Sequence, residues 1–94
     1  MIKSIKHKGL KILFYNGDSS KLPSNQLVKI KMILDIIDEL ETVPKDLSFF
    51  QSLRPHQLKG EYRGFWSLDV SGNYRIIFMF KDKNAYALDY LDTH

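Results

Sequence analysis

The spacing of apolar residues changes period once along this chain, and that change limits the folds open to it. Before Pro44, Leu27, Ile30, Leu34, Ile37 and Leu40 recur on one stripe of a helix, with Lys29, Lys31, Asp35, Asp38 and Glu39 mostly elsewhere. After His56 the repeat becomes two: in residues 65–70, Trp66, Leu68 and Val70 share one face, and residues 74–80 are aromatic and β-branched throughout. Helices that precede a run of hairpin-connected strands pack on one face of the resulting sheet and leave the other free. The expectation is an α+β domain: two N-terminal helices on a small antiparallel sheet, a meander in the C-terminal half, and an exposed, concave sheet side.

Local signals divide the chain further. Residues 2–5 are a first strand candidate, and Leu10, Leu13 and Phe14 fall at helical spacing before Asn16-Gly17-Asp18 interrupts them. Pro23 and Ser24 offer a start for the second helix, Thr42-Val43-Pro44 ends it, and residues 45–50 have room for one more helical turn. An irregular stretch through Arg54-Pro55-His56 leads to residues 58–60, where a strand can begin. Ser71-Gly72-Asn73 and Lys81-Asp82-Lys83-Asn84 are turns, and residues 85–92 are a last strand. Ninety-four residues suffice for one core and are too few for two, so residues 1–94 read as a single domain without repeat or linker.

Several function classes are set aside at this point. The chain has no cysteine, which removes disulfides and thiolate metal sites and fits a reducing cytoplasm. No segment is long enough to span a bilayer, and the basic opening residues lack the apolar run of a signal peptide, so no membrane contact is expected. The three histidines stand at no metal-type spacing, and no phosphate loop, nucleophile elbow or dinucleotide fingerprint is present, so neither metal nor cofactor is expected. Fourteen Lys and Arg against eleven Asp and Glu is a mild excess, but it is uneven. Lys3, Lys6, Lys8, Lys11, Lys21, Lys29 and Lys31 face a single acid, Asp18, in the first third, which suggests a polyanionic partner.

The groups able to carry chemistry lie in the second half: His56, Lys59, Arg63, Arg75, Asp92 and His94. Cutting RNA without a metal takes a base for the 2′-hydroxyl proton, an acid for the departing 5′-oxygen, and cations for the charge that builds on phosphorus oxygens. Histidine suits either proton role, and arginine and lysine suit the third. Strand alternation puts Asp92 and His94 on one face with Tyr90, and turns Arg75 away from the core face of Tyr74, Ile76, Phe78 and Phe80. Each residue also has a structural alternative. His56 can be an ordinary loop histidine, Lys59 and Arg63 surface cations, Arg75 a partner of Asp69 or Asp89, and His94 a frayed end.

The ordered series His56-Gln57-Leu58-Lys59-Gly60, Gly64-Phe65-Trp66-Ser67-Leu68-Asp69-Val70, Asn73-Tyr74-Arg75-Ile76-Ile77-Phe78 and Asp89-Tyr90-Leu91-Asp92-Thr93-His94 resembles the HigB toxins of the RelE superfamily. The opening residues 1–11 resemble them too, so the likeness covers nearly the whole chain. It implies a RelE-like fold and a type II toxin, a ribosome-dependent, metal-independent endoribonuclease that cuts messenger RNA in the decoding site and so inhibits translation. It also implies a HigA-type helix-turn-helix antitoxin that represses the shared operon, with operator DNA reached only through that antitoxin. Carried over by position, the resemblance makes His56, Lys59, Arg75, Asp92 and His94 catalytic: His94 or His56 as base and acid, Asp92 tuning a histidine, Lys59 and Arg75 on the phosphorane-like charge. Arg63, Asn73 and Tyr74 are the expected RNA contacts, and Lys8, Lys11 and Lys29 would dock on 16S rRNA phosphates by counterion release. Three departures stand out: Thr93 replaces the tyrosine of the closing Asp-Tyr-His, Ser71 stands where a basic residue is often found, and Tyr62 takes an arginine's place with Arg63 one later. They leave open a second reading, a catalytically weakened RelE-fold protein acting mainly as antitoxin partner or operon co-repressor.

Overall fold

In the computed structural model, which describes residues 1–92, helices and sheet divide where the period changes. Helix α1 (Lys8–Asn16) starts at His7, whose extended backbone lets its ring Nδ1 accept the Leu10 N–H at 3.2 Å. It stops at Gly17, which takes φ 74° and donates its N–H to the Leu13 carbonyl. The start expected at Pro23 and Ser24 is a 3-10 turn (Ser24–Gln26), and helix α2 (Leu27–Glu39) continues from it. Of the expected stripe, Ile30, Leu34, Ile37 and Leu40 are buried; Ile33 joins them, and Leu27 is only half-buried. After Pro44, where one further turn was expected, the chain makes two short 3-10 stretches within Lys45–Leu53, joined across a kink at Phe50 (φ −125°, ψ 46°) and anchored by buried Leu47 and Leu53.

Four strands follow: β1 (His56–Gln57), β2 (Trp66–Ser71), β3 (Tyr74–Lys81) and β4 (Asn84–Asp92), in the spatial order β1-β2-β3-β4 with every pair antiparallel. The strand expected at residues 58–60 is displaced. Pairing begins at His56, and although Leu58 still donates to the Phe65 carbonyl, Gly60 at φ 70° turns the chain into a 3-10 turn (Gly60–Tyr62). The first strand candidate, residues 2–5, runs parallel to β4 through two isolated bridges, Ile2 with Ala85 and Ile5 with Leu88. A regular ladder is prevented by a bulge in β4, where Ala87 takes φ 55° and donates its N–H to Ser4 Oγ instead.

The helices cover one face of the meander. Leu68, Val70, Ile76, Phe78, Ala85 and Leu88 from the strands join Leu10, Leu13, Ile30, Ile33 and Ile37 in one core. Phe78 has no exposed surface, so Phe78→Ala is expected to lower unfolding free energy by about 3–5 kcal/mol. Met79, next in sequence, is 42% exposed on the opposite face, and Met79→Ala is expected to cost less than about 1 kcal/mol. Urea denaturation of the two variants measures both, and similar losses would contradict this division of faces.

Candidate active site

Residues paired across antiparallel strands share a face, so the register defines the surface left bare by the helices. One row runs His56, Ser67, Ile77, Asp89 and the next Asp69, Arg75, Leu91. His56 is exposed on β1, and its Nδ1 lies 2.8 Å from the Arg54 carbonyl. Arg54 adopts a left-handed backbone (φ 50°, ψ 55°), which turns that carbonyl toward the ring. A carbonyl only accepts, so Nδ1 carries the proton and the neutral ring keeps its lone pair on Nε2. Arg75 stands two strands away on the same face, and at about 4.8 Å per strand and 3.4 Å per residue the two Cα atoms are roughly 12 Å apart. Side chains of this length can converge on one phosphodiester from those positions.

Arg75 is half-buried and, among the described residues, has no carboxylate within ion-pair distance. Neither partner considered from the sequence takes it. Asp69, opposite Arg75 in register, faces Arg54 with Oδ2 3.7 Å from Nε, and Asp89 Oδ1 accepts the Tyr90 N–H at 3.0 Å. Between His56 and Arg75 lie Ser67, Asp69 and the fully buried Ile77, and two polar atoms there, Ser67 Oγ and Asp69 Oδ1, are buried without a hydrogen-bond partner among the described residues. Each such group costs about 1–3 kcal/mol unless something supplies its bond. Sequence reasoning used the alternation of residues 65–70 only for the core side; the same alternation marks Ser67 and Asp69 as the opposite side.

The β1–β2 connection rises at one end of this face. Lys59 and Arg63 are both exposed on it, Tyr62 sits edge-on to Phe65 at 5.7 Å, and a side chain at Gly64 would meet Met79. Lys59 follows β1 by two residues, and its side chain is exposed.

Asp92 is elsewhere. It pairs with Tyr74, and Tyr90 pairs with Ile76, so Asp92, Tyr74 and Tyr90 project to the helix-covered face, opposite His56 and Arg75. Asp92 does share its face with Tyr90, as alternation requires; His94 lies outside the described residues. At this end of the sheet Tyr74 stacks on Tyr90 (5.3 Å, 14°), His7 meets Tyr90 edge-on at 5.5 Å, and the Tyr90 hydroxyl donates to buried Gln26. Burial, then Tyr74 and Asp92, push the Tyr90 hydroxyl up to about 12. His7, which caps α1 and borders Tyr90, was missed from sequence, where only its place just before a helical run could have singled it out. Asn73 is exposed in the β2–β3 turn, Lys8 and Lys11 are exposed on α1, and Lys29 is half-buried on α2, so the lysines belong to the helix layer. Among the described residues no three His, Asp or Glu side chains converge as metal ligands, and no helix is long and apolar enough to cross a membrane.

Comparisons with known proteins agree on the family. The family described as the RelE-like toxin of type II toxin-antitoxin system HigB matches residues 3–94. The chain is 43% identical to endoribonuclease HigB of Proteus vulgaris over 94 residues, all of both chains. Among solved structures it resembles YafQ from E. coli strain BL21(DE3), with TM-score 0.55, 15% identity, and 94% of this chain and 89% of that one covered. It also resembles a chain of the YoeB-YefM complex from Staphylococcus aureus, with TM-score 0.54, 19% identity, and coverage of 97% and 95%. At these identities the structural likeness carries the fold.

The Tyr90 environment has a measurable consequence. Its folded value of about 12 lies above the usual tyrosine value near 10. The stabilisation that goes with the raised value is therefore complete below pH about 10 and disappears as pH rises toward 12. Ultraviolet titration of the five tyrosines should show one ionising last, and Tyr90→Phe should remove that step; five ordinary titrations in the wild type would refute the buried hydroxyl.

Proposed function

Because the chain belongs to the HigB-like toxin family, matched over residues 3–94, we propose that it is a ribosome-dependent messenger RNA endoribonuclease. In this reading it works without a metal in the decoding site, acts in the cytoplasm, and is neutralised by a HigA-type helix-turn-helix antitoxin through which alone it reaches operator DNA. The observation that carries the reading is the sheet face away from the helices, where exposed His56, its Nδ1 held by the Arg54 carbonyl, and Arg75 flank the buried Ser67 Oγ and Asp69 Oδ1, neither Arg75 nor these two atoms having a partner among the described residues.

His56 Nε2 takes the proton from the 2′-hydroxyl, the 2′-oxygen attacks the adjacent phosphorus, and the bond to the 5′-oxygen breaks. Arg75 stabilises the charge on the non-bridging oxygens, and Lys59 adds a second cation from the β1–β2 connection. His94 supplies the proton to the leaving oxygen. Asp92 tunes His94, two residues away in sequence, rather than His56, from which the sheet separates it. Arg63 and Asn73 contact the message, Tyr74 being turned to the helix-covered face against Tyr90, while Lys8, Lys11 and Lys29 dock on 16S rRNA phosphates. Dependence on the ribosome fits the shallowness of the site: a few exposed side chains on a sheet surface do little to hold a flexible strand in line, so the strand must arrive already positioned. One observation favours the second reading, a weakened protein acting mainly as antitoxin partner. Tyr74, an expected RNA contact, already has its ring against Tyr90.

Primer extension on a defined message, with purified protein and with or without stalled ribosomes, separates these readings. Cuts are expected only with ribosomes, and His56→Ala and Arg75→Ala should each slow single-turnover cleavage by about 10²–10³-fold. Cuts on free RNA would overturn ribosome dependence. Translational arrest with intact message would favour the weakened protein.

A further inference from the structure

Helix α2 carries a second apolar stripe beside the core-facing one, its Ile36 half-buried against the core and its other members exposed. Val28, Met32 and Ile36 recur along it, Val28 being 86% and Met32 44% exposed. The 3-10 segment Lys45–Leu53 lies alongside and brings Phe49, 75% exposed, to face Met32 and Ile36 across an open groove of about 460 Å³. Neither the His56–Arg75 face nor the Tyr90 cluster contributes to its lining.

The lining contains three carboxylates, Asp35, Glu39 and Asp46, and no lysine or arginine, in a chain whose net charge is +3. Backbone N–H groups of Thr42 and Glu41 hold the Asp46 carboxyl below its usual range, so this wall of the groove stays charged at neutral pH. Phosphates and anionic lipid surfaces are repelled by such a rim, whereas a cationic peptide with apolar anchors matches both its floor and its edge. On α2 the groove runs from Met32 to Glu39, about 10 Å at 1.5 Å per residue or two helical turns, and exposed Val28 prolongs the apolar surface by one turn more.

We propose that this groove receives a short basic amphipathic helix of a partner protein, aliphatic side chains seated between Met32, Ile36 and Phe49 and cations facing Asp35, Glu39 and Asp46. Resting on the reading above, the partner is the antitoxin.

Fluorescence anisotropy with the full-length protein and a labelled Leu/Lys amphipathic peptide of about three turns tests the groove itself. Saturable binding is expected, weakened roughly tenfold or more by Phe49→Ser or by Asp35→Lys with Glu39→Lys, while a Leu/Glu peptide of the same pattern gains nothing from the groove. These positions are exposed, so circular dichroism and nuclease assays of the variants should match wild type. Equal binding by wild type and variants would overturn the proposal, as would a dimer in gel filtration that the same substitutions dissolve, since a second copy would then be the occupant. Co-expression identifies the partner. The antitoxin should restore growth against wild type and fail against the triple variant D35K/E39K/F49S. Protection against both would refute docking here, whereas protection against neither would sink the antitoxin reading and leave the peptide result to decide the groove.

Discussion

The register between β2 and β3 is the constraint on which the rest of the structure depends. Trp66 opposite Phe78 and Leu68 opposite Ile76 fix one face of the sheet as the floor of the core. Because side chains alternate, that pairing also decides that Ser67, Asp69, Arg75 and Ile77 face the other way. A slip of one residue would bury Arg75 and Asp69 under the helices and expose Ile76 and Phe78, at a cost no surface contact could offset. The burial that stabilises the domain and the orientation of its chemical groups are thus one event, with the core side enforcing the open side.

β4 obeys the same rule but alters it midway. Ala85 and Leu88 are both buried although three residues apart, which strict alternation forbids; the extra residue at Ala87 reconciles them. Past the bulge the inward set is Leu88, Tyr90 and Asp92. Without it Ala87, Asp89 and Leu91 would face the helices, and a carboxylate would lie beneath the core. The bulge is held from outside the ladder, by Ser4 Oγ on the N-terminal segment, and the same segment carries His7 to the edge of Tyr90. The first seven residues therefore set which end of β4 meets the helix layer, even though they form no regular strand.

The parts legible in the sequence are those decided by local periodicity. Gly17 and the two polar turns read correctly because their backbone demands are local, and the helical stripe and three long strands because their patterns extend over six residues or more. The 3-10 segment after Pro44 and the placement of β1 were not legible: a two-residue strand has no period, and His56 is placed by Ser67 across the ladder. The orientation of Arg75 could be read by counting along β3, but that of His56 could not. Asp92 could be matched to Tyr90 by counting, yet the face they share depends on a bulge whose signal, an alanine at positive φ, resembles any other alanine in the sequence. The grouping of His56, Lys59, Arg75, Asp92 and His94 as one set came from resemblance, and the fold divides its described members between two faces.

The same chain has to attract RNA phosphates with one part of its surface and, if the groove on α2 is a docking site, a cationic helix with another. Net charge gives no guidance, since +3 is too small to steer anything by itself. What makes both possible is distance relative to screening. The molecule measures 32 × 28 × 25 Å, whereas fields in physiological salt decay over about 8 Å. Carboxylates clustered at Asp35, Glu39 and Asp46 therefore leave the potential over Arg75 and His56, beyond the sheet, largely unchanged. Segregating the charges in this way allows a small domain to present two surfaces of opposite preference, each weakened by salt for its own ligand, without one cancelling the other.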